Sequence, residues 1–134
     1  MESIVQAKRV LEIFKEMSQI PRESGNEKGI SDYIVNFAKN LGLEVHQDDQ
    51  YNVVIKKPAS PGYENRPSII LQGHIDMVCV RDHDSNHDFT KDPIANIIEG
   101  EWMHADHTTL GADNGMGGAM MLAILEDDSQ QHGP

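Results

Sequence analysis

Apolar side chains recur at helical spacing in two early parts of the chain. Residues 3–19 carry them three and four positions apart, and Pro21 ends that pattern. From Ile30 to Leu41 apolar residues again line one face, and Gly42 follows where a helix C-terminus favours glycine. Before this second segment, residues 24–27 have the sequence Ser-Gly-Asn-Glu, which resembles a capping box that opens a helix. The pattern predicts two amphipathic helices.

Short strands and a loop are predicted next. Residues 43–46 and 52–55 are two apolar segments joined by an acidic turn, which is typical of a hairpin. Proline and glycine mark residues 57–67 as a surface loop. The strongest strand prediction is Ser68–Asp76, because its continuous apolar start is typical of a central strand covered on both faces.

The rest of the chain alternates loop, strand and helix. Residues 81–93 are rich in aspartate and predict an irregular loop, whereas residues 94–98 predict a short strand. Residues 115–125 are rich in Gly, Ala and Met and apolar almost all round, which predicts a buried helix with tight packing. Because helices and strands alternate, we expect an α/β sandwich in one domain over residues 1–134.

Composition narrows the classes of function. The 134 residues include 11 Lys and Arg against 22 Asp and Glu, a formal charge of −11, which disfavours a nucleic-acid partner. The single cysteine, Cys79, cannot form an internal disulfide, which fits a reducing cytosol. The sequence has no apolar run of about 18 residues and no signal-peptide pattern at its start. We therefore expect a cytoplasmic protein with no membrane partner.

The candidate chemistry lies at His74, Asp76 and Asp113. His74 and Asp76 are two positions apart at the end of the strongest predicted strand, so they would point to the same face. A histidine nitrogen is an ordinary zinc ligand, and a neighbouring carboxylate can orient its ring. Asp113 lies between Gly111 and Gly115, in a loop suited to present a metal-bridging carboxylate. Two other interpretations stay open. His74 could be a core histidine beside a solvated Asp76, and Asp113 could cap a helix.

Two motifs resemble those of a known family. His74-Ile-Asp76-Met and residues 108–115, with the sequence Thr-Thr-Leu-Gly-Ala-Asp-Asn-Gly, closely resemble the aminoacyl-histidine (Xaa-His) dipeptidases. These enzymes belong to the dinuclear-zinc amidohydrolases, with aminoacylases and carboxypeptidase G-type enzymes. The resemblance spans most of residues 15–134 and includes segments 20–27, 52–58, 71–79 and 87–93. It implies the N-terminal portion of a zinc-peptidase catalytic domain, with helices packed on a mixed, mostly parallel sheet and no lid domain.

The resemblance also implies roles for individual residues. His74 would bind one of two divalent metal ions, zinc in this family, and Asp113 would bridge both. Asp76 would act in catalysis by orienting the His74 ring. The peptide bond between Asp113 and Asn114 would be cis. His107 stands where the family has glycine before Thr-Thr-Leu-Gly, which is expected to strain that turn.

The implied activity is hydrolysis of dipeptides with a C-terminal histidine by a zinc-activated water, with a glutamate as the base. Family members continue past Pro134 into a Glu-Glu strand, further metal ligands and a lid domain that commonly mediates homodimerisation. We therefore expect residues 1–134 alone to be inactive, with apolar faces left uncovered. Two alternatives stay open. One is another dinuclear-zinc deacylase, and the other is a non-catalytic remnant of an interrupted reading frame.

Overall fold

The helices and strands follow one another largely in the predicted order. The computed structural model describes residues 2–134, with side chains from Gln6 onward. The elements are α1 (Glu2–Ser18), α2 (Lys28–Asn40), β1 (Glu44–Gln47), β2 (Val53–Lys56), β3 (Asn96–Glu99), β4 (Trp102–Ala105) and α3 (Ala112–Glu126). The three predicted helices are confirmed, as are the β1–β2 hairpin and the strand after residue 93. Strand β4 is an addition that the sequence pattern did not indicate.

The core forms where α1 packs against α3, with α2 alongside. Its buried apolar side chains are Ile13, Phe14, Met17, Ile30, Ile34, Ala119 and Leu122. At Gly115 an added Cβ would lie 2.9 Å from Cε2 of Phe14, so glycine lets the two helices approach closely. This confirms the tight helix packing expected from the glycines of α3. It also fixes the first turn of α3, where Asp113 lies.

Helix α3 is less buried than its composition predicts. Met120 and Ile124 are 50% and 54% exposed. The expectation of a helix buried almost all round is therefore wrong, because the described residues cover the side of α3 that faces α1 and leave the opposite side open. Among residues 2–134, no helix is long and apolar enough to span a membrane.

The start of α2 differs from the capping-box prediction. The cap residue is Glu27, and its side chain makes no hydrogen bond to the helix. The hydroxyl of Ser24 instead donates to Oδ2 of Asp76. At the other end Gly42 has a φ of 71°, which is the left-handed conformation expected of a glycine that ends a helix.

The sheets are two separate antiparallel hairpins, β1 with β2 and β3 with β4. The mixed, mostly parallel sheet does not form within residues 2–134, where the one parallel pairing is a single bridge between Glu23 and Met77. The strand predicted over Ser68–Asp76 is also absent. A strand needs a neighbour for its N–H and C=O groups, and the described residues provide no ladder beside this segment. Ile69 and Ile70 are accordingly 76% and 88% exposed.

A buried serine links α1 to β3. Ser18 is 1% exposed, donates from Oγ to the Phe14 carbonyl at 2.9 Å and accepts from Nδ2 of Asn96 at 3.2 Å. The Ser18→Ala variant is expected to lower the free energy of unfolding by about 1–2 kcal/mol, because it leaves the Asn96 amide without its partner. Urea denaturation measures this loss. The exposed Ser129→Ala change should stay within about 0.5 kcal/mol of the parent, and equal losses in both would contradict the interpretation.

Candidate metal centre

The three candidate side chains lie together in the structure. Nε2 of His74 is 3.1 Å from Oδ1 of Asp113, although the two residues are 39 positions apart. Nδ1 of the same ring is 2.9 Å from Oδ1 of Asp76. The imidazole therefore lies between two carboxylates, one on each ring nitrogen. The reading of His74 as a core histidine is wrong, because its side chain is 52% exposed.

The surrounding groups set the charge of this cluster. The hydrogen bond that Asp113 accepts from the His74 ring does most to raise the pKa of His74, and the bond to Asp76 adds to it. The pKa of Asp76 is lowered, chiefly by the Ser24 hydroxyl and further by His74. Asp76 thus stays ionised and accepts a hydrogen bond from Nδ1–H, so that in the neutral ring Nε2 carries the lone pair on the side of Asp113.

The donor set fits part of a zinc site. A neutral imidazole nitrogen and a carboxylate oxygen are the mixed ligands that zinc accepts. Asp113 is 96% exposed, so its second oxygen is open to solvent. Within residues 2–134, no group of three or more His, Cys, Asp or Glu side chains converges on one point. The described part of the chain therefore offers two candidate ligands, and a four-coordinate ion would need further donors.

The loop that carries Asp113 has an unusual backbone. Gly111 has a φ of 77°, and Asp113 is extended within the first turn of α3, with φ and ψ of −94° and 106°. The bond between Asp113 and Asn114 is cis, as the family resemblance implies. The hydrogen bond of the Asp113 side chain is with His74 and not with the backbone of α3. The side chain of Asp113 is thereby free to face His74.

Asn114 fills the space between the two segments that carry the site. A Cβ added at Gly73, directly before His74, would collide with the Asn114 amide. A Cβ added at Gly117, one turn along α3, would collide with the same amide. Sequence reasoning assigned no role to Asn114. The contact became visible only when the fold brought residues 73 and 117 to its two sides.

Arg22 is a second residue that the sequence did not single out. It is 1% exposed and donates to the carbonyl oxygens of Ile75 and Gly111 at 3.3 and 2.8 Å. Burial lowers the pKa of this guanidinium, although electrostatic interactions with Cys79 and Asp76 oppose the shift. Its partners are 53 and 89 positions away, so no local spacing could have indicated them.

The turn before the Asp113 loop contains the strain expected at His107. Its φ is 55°, in the left-handed region where a residue with a Cβ is disfavoured. Nδ1 of His107 lies 2.7 Å from Oδ2 of Asp82, in the opposite loop. An ion pair thus ties the strained turn to a neighbouring segment.

The His107 ion pair predicts a pH dependence. Its pKa is raised above 6.5, chiefly by the hydrogen bond with Asp82. A raised folded-state pKa means that protonated His107 favours folding. That contribution is fully present below about pH 6.5, the unfolded value, and is lost as pH rises through the raised pKa. We expect Asp82→Asn to lower the His107 pKa in an NMR titration, whereas Asp49→Asn in the distant hairpin turn should not. An unchanged pKa in Asp82→Asn would contradict this.

Sequence comparison places the chain beside known peptidases. No family model matches it. It is 49% identical over 123 residues to the cytosol non-specific dipeptidase of Escherichia coli (strain K12), a match that covers 92% of this chain and 25% of that protein. The chain thus spans about a quarter of the length of this relative.

Structural comparison agrees. The aminoacylhistidine dipeptidase from Vibrio alginolyticus superposes with a TM-score of 0.90 and 46% identity, over 93% of this chain and 26% of that one. A tripeptidase from Staphylococcus aureus gives a TM-score of 0.74 and 27% identity, over 94% of this chain and 34% of that one. The α/β fold class is confirmed, with the chain matching a fragment of the peptidase domain. The resemblance to the aminoacyl-histidine dipeptidases is therefore confirmed over nearly the whole chain, as a portion about a quarter of their length.

Proposed function

We propose that this chain supplies part of a metal-dependent active site that hydrolyses small peptides. The observation that carries the proposal is the placement of His74 between Asp76 and Asp113, at 2.9 and 3.1 Å. The names of the relatives, a dipeptidase and a tripeptidase, support peptide hydrolysis as the reaction class. The resemblance implies two divalent metal ions, and zinc is the ion we propose.

The residues of the chain would prepare the site. Asp76 holds the proton of Nδ1 and so fixes the tautomer and the orientation of His74. His74 would then hold one ion through Nε2, and Asp113 would be shared between the two ions. Zinc supplies Lewis acidity, which makes water easier to deprotonate and polarises a carbonyl group.

The same geometry supports a site that needs further ligands and a general base from additional polypeptide. The described residues offer two candidate ligands. No described glutamate lies close to the His74–Asp113 pair. Loss of a general base alone costs about 10²–10⁴-fold in rate. We therefore propose that the 134-residue chain has no peptidase activity by itself, and that the remaining donors come from polypeptide like that in its longer relatives.

The names of the relatives bear on which dipeptides are preferred. The solved Vibrio relative is named for aminoacyl-histidine, whereas the E. coli relative is named non-specific. We propose dipeptides with a C-terminal histidine as the preferred class, with a cytoplasmic site of action and a homodimeric complete enzyme. Support for the location comes from the word cytosol in the name of the E. coli relative.

A chimera tests the proposal. The quarter of the E. coli dipeptidase that this chain matches is replaced by residues 1–134, and hydrolysis is assayed with zinc on β-alanyl-histidine, alanyl-histidine and alanyl-alanine. We expect hydrolysis by the chimera, faster on the two histidine dipeptides, and none by the chain alone. A chimera that folds as the E. coli enzyme does but hydrolyses none of them would contradict the proposed function. Equal rates on all three would contradict only the substrate preference.

A further inference from the structure

We propose that Arg22 is a positioning residue that sets the separation of the His74 and Asp113 side chains. The inference deepens the proposed function and rests on it for its significance. The geometry, however, belongs to the metal-free chain and can be tested there.

The guanidinium of Arg22 joins the two segments that carry the site. Nη1 donates to the carbonyl of Ile75, the residue between His74 and Asp76, at 3.3 Å. Nη2 donates to the carbonyl of Gly111, two positions before Asp113, at 2.8 Å. One planar group thus contacts both segments, within one residue of His74 and two of Asp113.

The backbone of Arg22 reinforces the same connection. Its carbonyl accepts a hydrogen bond from the amide of Met77 at 2.9 Å. Glu23 forms the parallel bridge to Met77. The 74–77 segment is therefore held by the main chain of residues 22 and 23 and by the side chain of Arg22, while the Asp113 loop is held by that side chain.

The partners of Arg22 distinguish this role from an ordinary ion pair. Among the described residues its hydrogen bonds run to backbone carbonyl oxygens and to no carboxylate, although the residue is 1% exposed. Nε has no hydrogen-bond partner among the described residues. A buried charge is costly unless it is well hydrogen-bonded. An apolar side chain would fill the same space without that cost, so what the guanidinium adds is the fixed direction of its donors.

Two glycines leave the space that this group occupies. A Cβ added at Gly111 or at Gly115 would lie 2.6 Å from Nη2 of Arg22. The guanidinium therefore lies in a gap at the start of α3 that any larger residue would close. A lysine in place of Arg22 has a single ammonium and cannot reproduce the planar fork that reaches two carbonyls in different directions.

NMR on the metal-free, ¹⁵N-labelled chain in EDTA tests the inference. In the parent, Asp113→Asn should change the chemical shift of Nε2 of His74, because the two groups are 3.1 Å apart. In the Arg22→Lys background we expect the same substitution to produce at most half of that change. The Ile34→Val background, a core change in α2 away from the site, should retain the full response. A full response in Arg22→Lys, or a response in Ile34→Val reduced by as much, would overturn the inference.

A second measurement needs no substitution at position 22. A guanidinium held by two carbonyls should rotate slowly and give separate, slowly exchanging Hη signals. Freely rotating Arg22 would overturn the inference even if Arg22→Lys failed to fold. Zinc titration of the chimera is the independent check on the proposed function. Failure of zinc to bind there would contradict the metal site, while the His74 response would still decide the role of Arg22.

Discussion

Replacing Asp113 with alanine in the chimera is expected to abolish measurable peptidase activity. The loss of kcat/KM should be at least about 10²–10⁴-fold, the range for removing a general base, because Asp113 is the proposed ligand of both ions and its loss would remove the proposed activation of water. The physical reason lies in the geometry of the site. One oxygen of Asp113 lies beside Nε2 of His74, and the other is open to solvent. No other described carboxylate combines these two features. Steady-state kinetics with a zinc-supplemented assay measures the effect.

Two further substitutions calibrate that result. Asp76→Asn keeps the shape of the side chain but weakens its grip on Nδ1 of His74, so a loss of about 10–100-fold is expected. His83→Ala removes a fully exposed histidine from the 81–93 loop and should leave kcat/KM unchanged. The expected order of loss is therefore Asp113, Asp76, His83. Substantial activity in the Asp113→Ala chimera would contradict the assignment of this residue as a bridging ligand.

A lysine at Ile70 is expected to have opposite consequences in the chain alone and in the chimera. The Ile70 side chain is 88% exposed in the chain, between Ile69 and Leu71 at 76% and 53%. Alone, Ile70→Lys should change the free energy of unfolding by no more than about 0.5 kcal/mol, while self-association decreases. In the chimera, where we expect this segment to be a covered strand, burying an unpaired ammonium should cost about 3–5 kcal/mol.

Urea denaturation and light scattering on both proteins measure these effects. Val54→Lys is the matched control, because Val54 is 57% exposed and lies in a hairpin strand that is already paired. It should be nearly neutral in both proteins. If Ile70→Lys were equally mild in the chimera, the segment would not be covered there. The exposed apolar surface would then need a different explanation.

Local patterns predicted the fold where the stabilising contacts are local. The periodicity of residues 3–19 and the turn before Val53 act over a few positions, and both elements formed. The Ser68–Asp76 strand failed because a strand depends on a partner far away in sequence, and the described residues do not provide one. The capping box at Ser24 failed for a related reason. Its hydroxyl has a stronger acceptor in Asp76, which the sequence places 52 positions away.

The candidate site could be predicted in part. The spacing of His74 and Asp76 indicated a shared function, but their meeting with Asp113 rested on the family resemblance. No spacing indicated Arg22 or Asn114, because Arg22 contacts carbonyls distant in sequence and Asn114 contacts Gly73, 41 positions before it. The metal-binding roles of His74 and Asp113 are predictions, which the chimera and the zinc titration test.

The packing of α1 against α3 has a consequence for the order of events during synthesis. Arg9 in α1 and Glu126 in α3 form an ion pair at 2.7 Å, although they are 117 positions apart in sequence. The two helices therefore meet through contacts between residues far apart in sequence. Loop closure on that scale slows folding, and the face of α1 that packs on α3 has no partner until α3 has left the ribosome. The nascent chain must keep the apolar face of α1 out of wrong associations throughout that time. Because the same closure brings Asp113 to His74, the site is assembled only when nearly all of the chain is available.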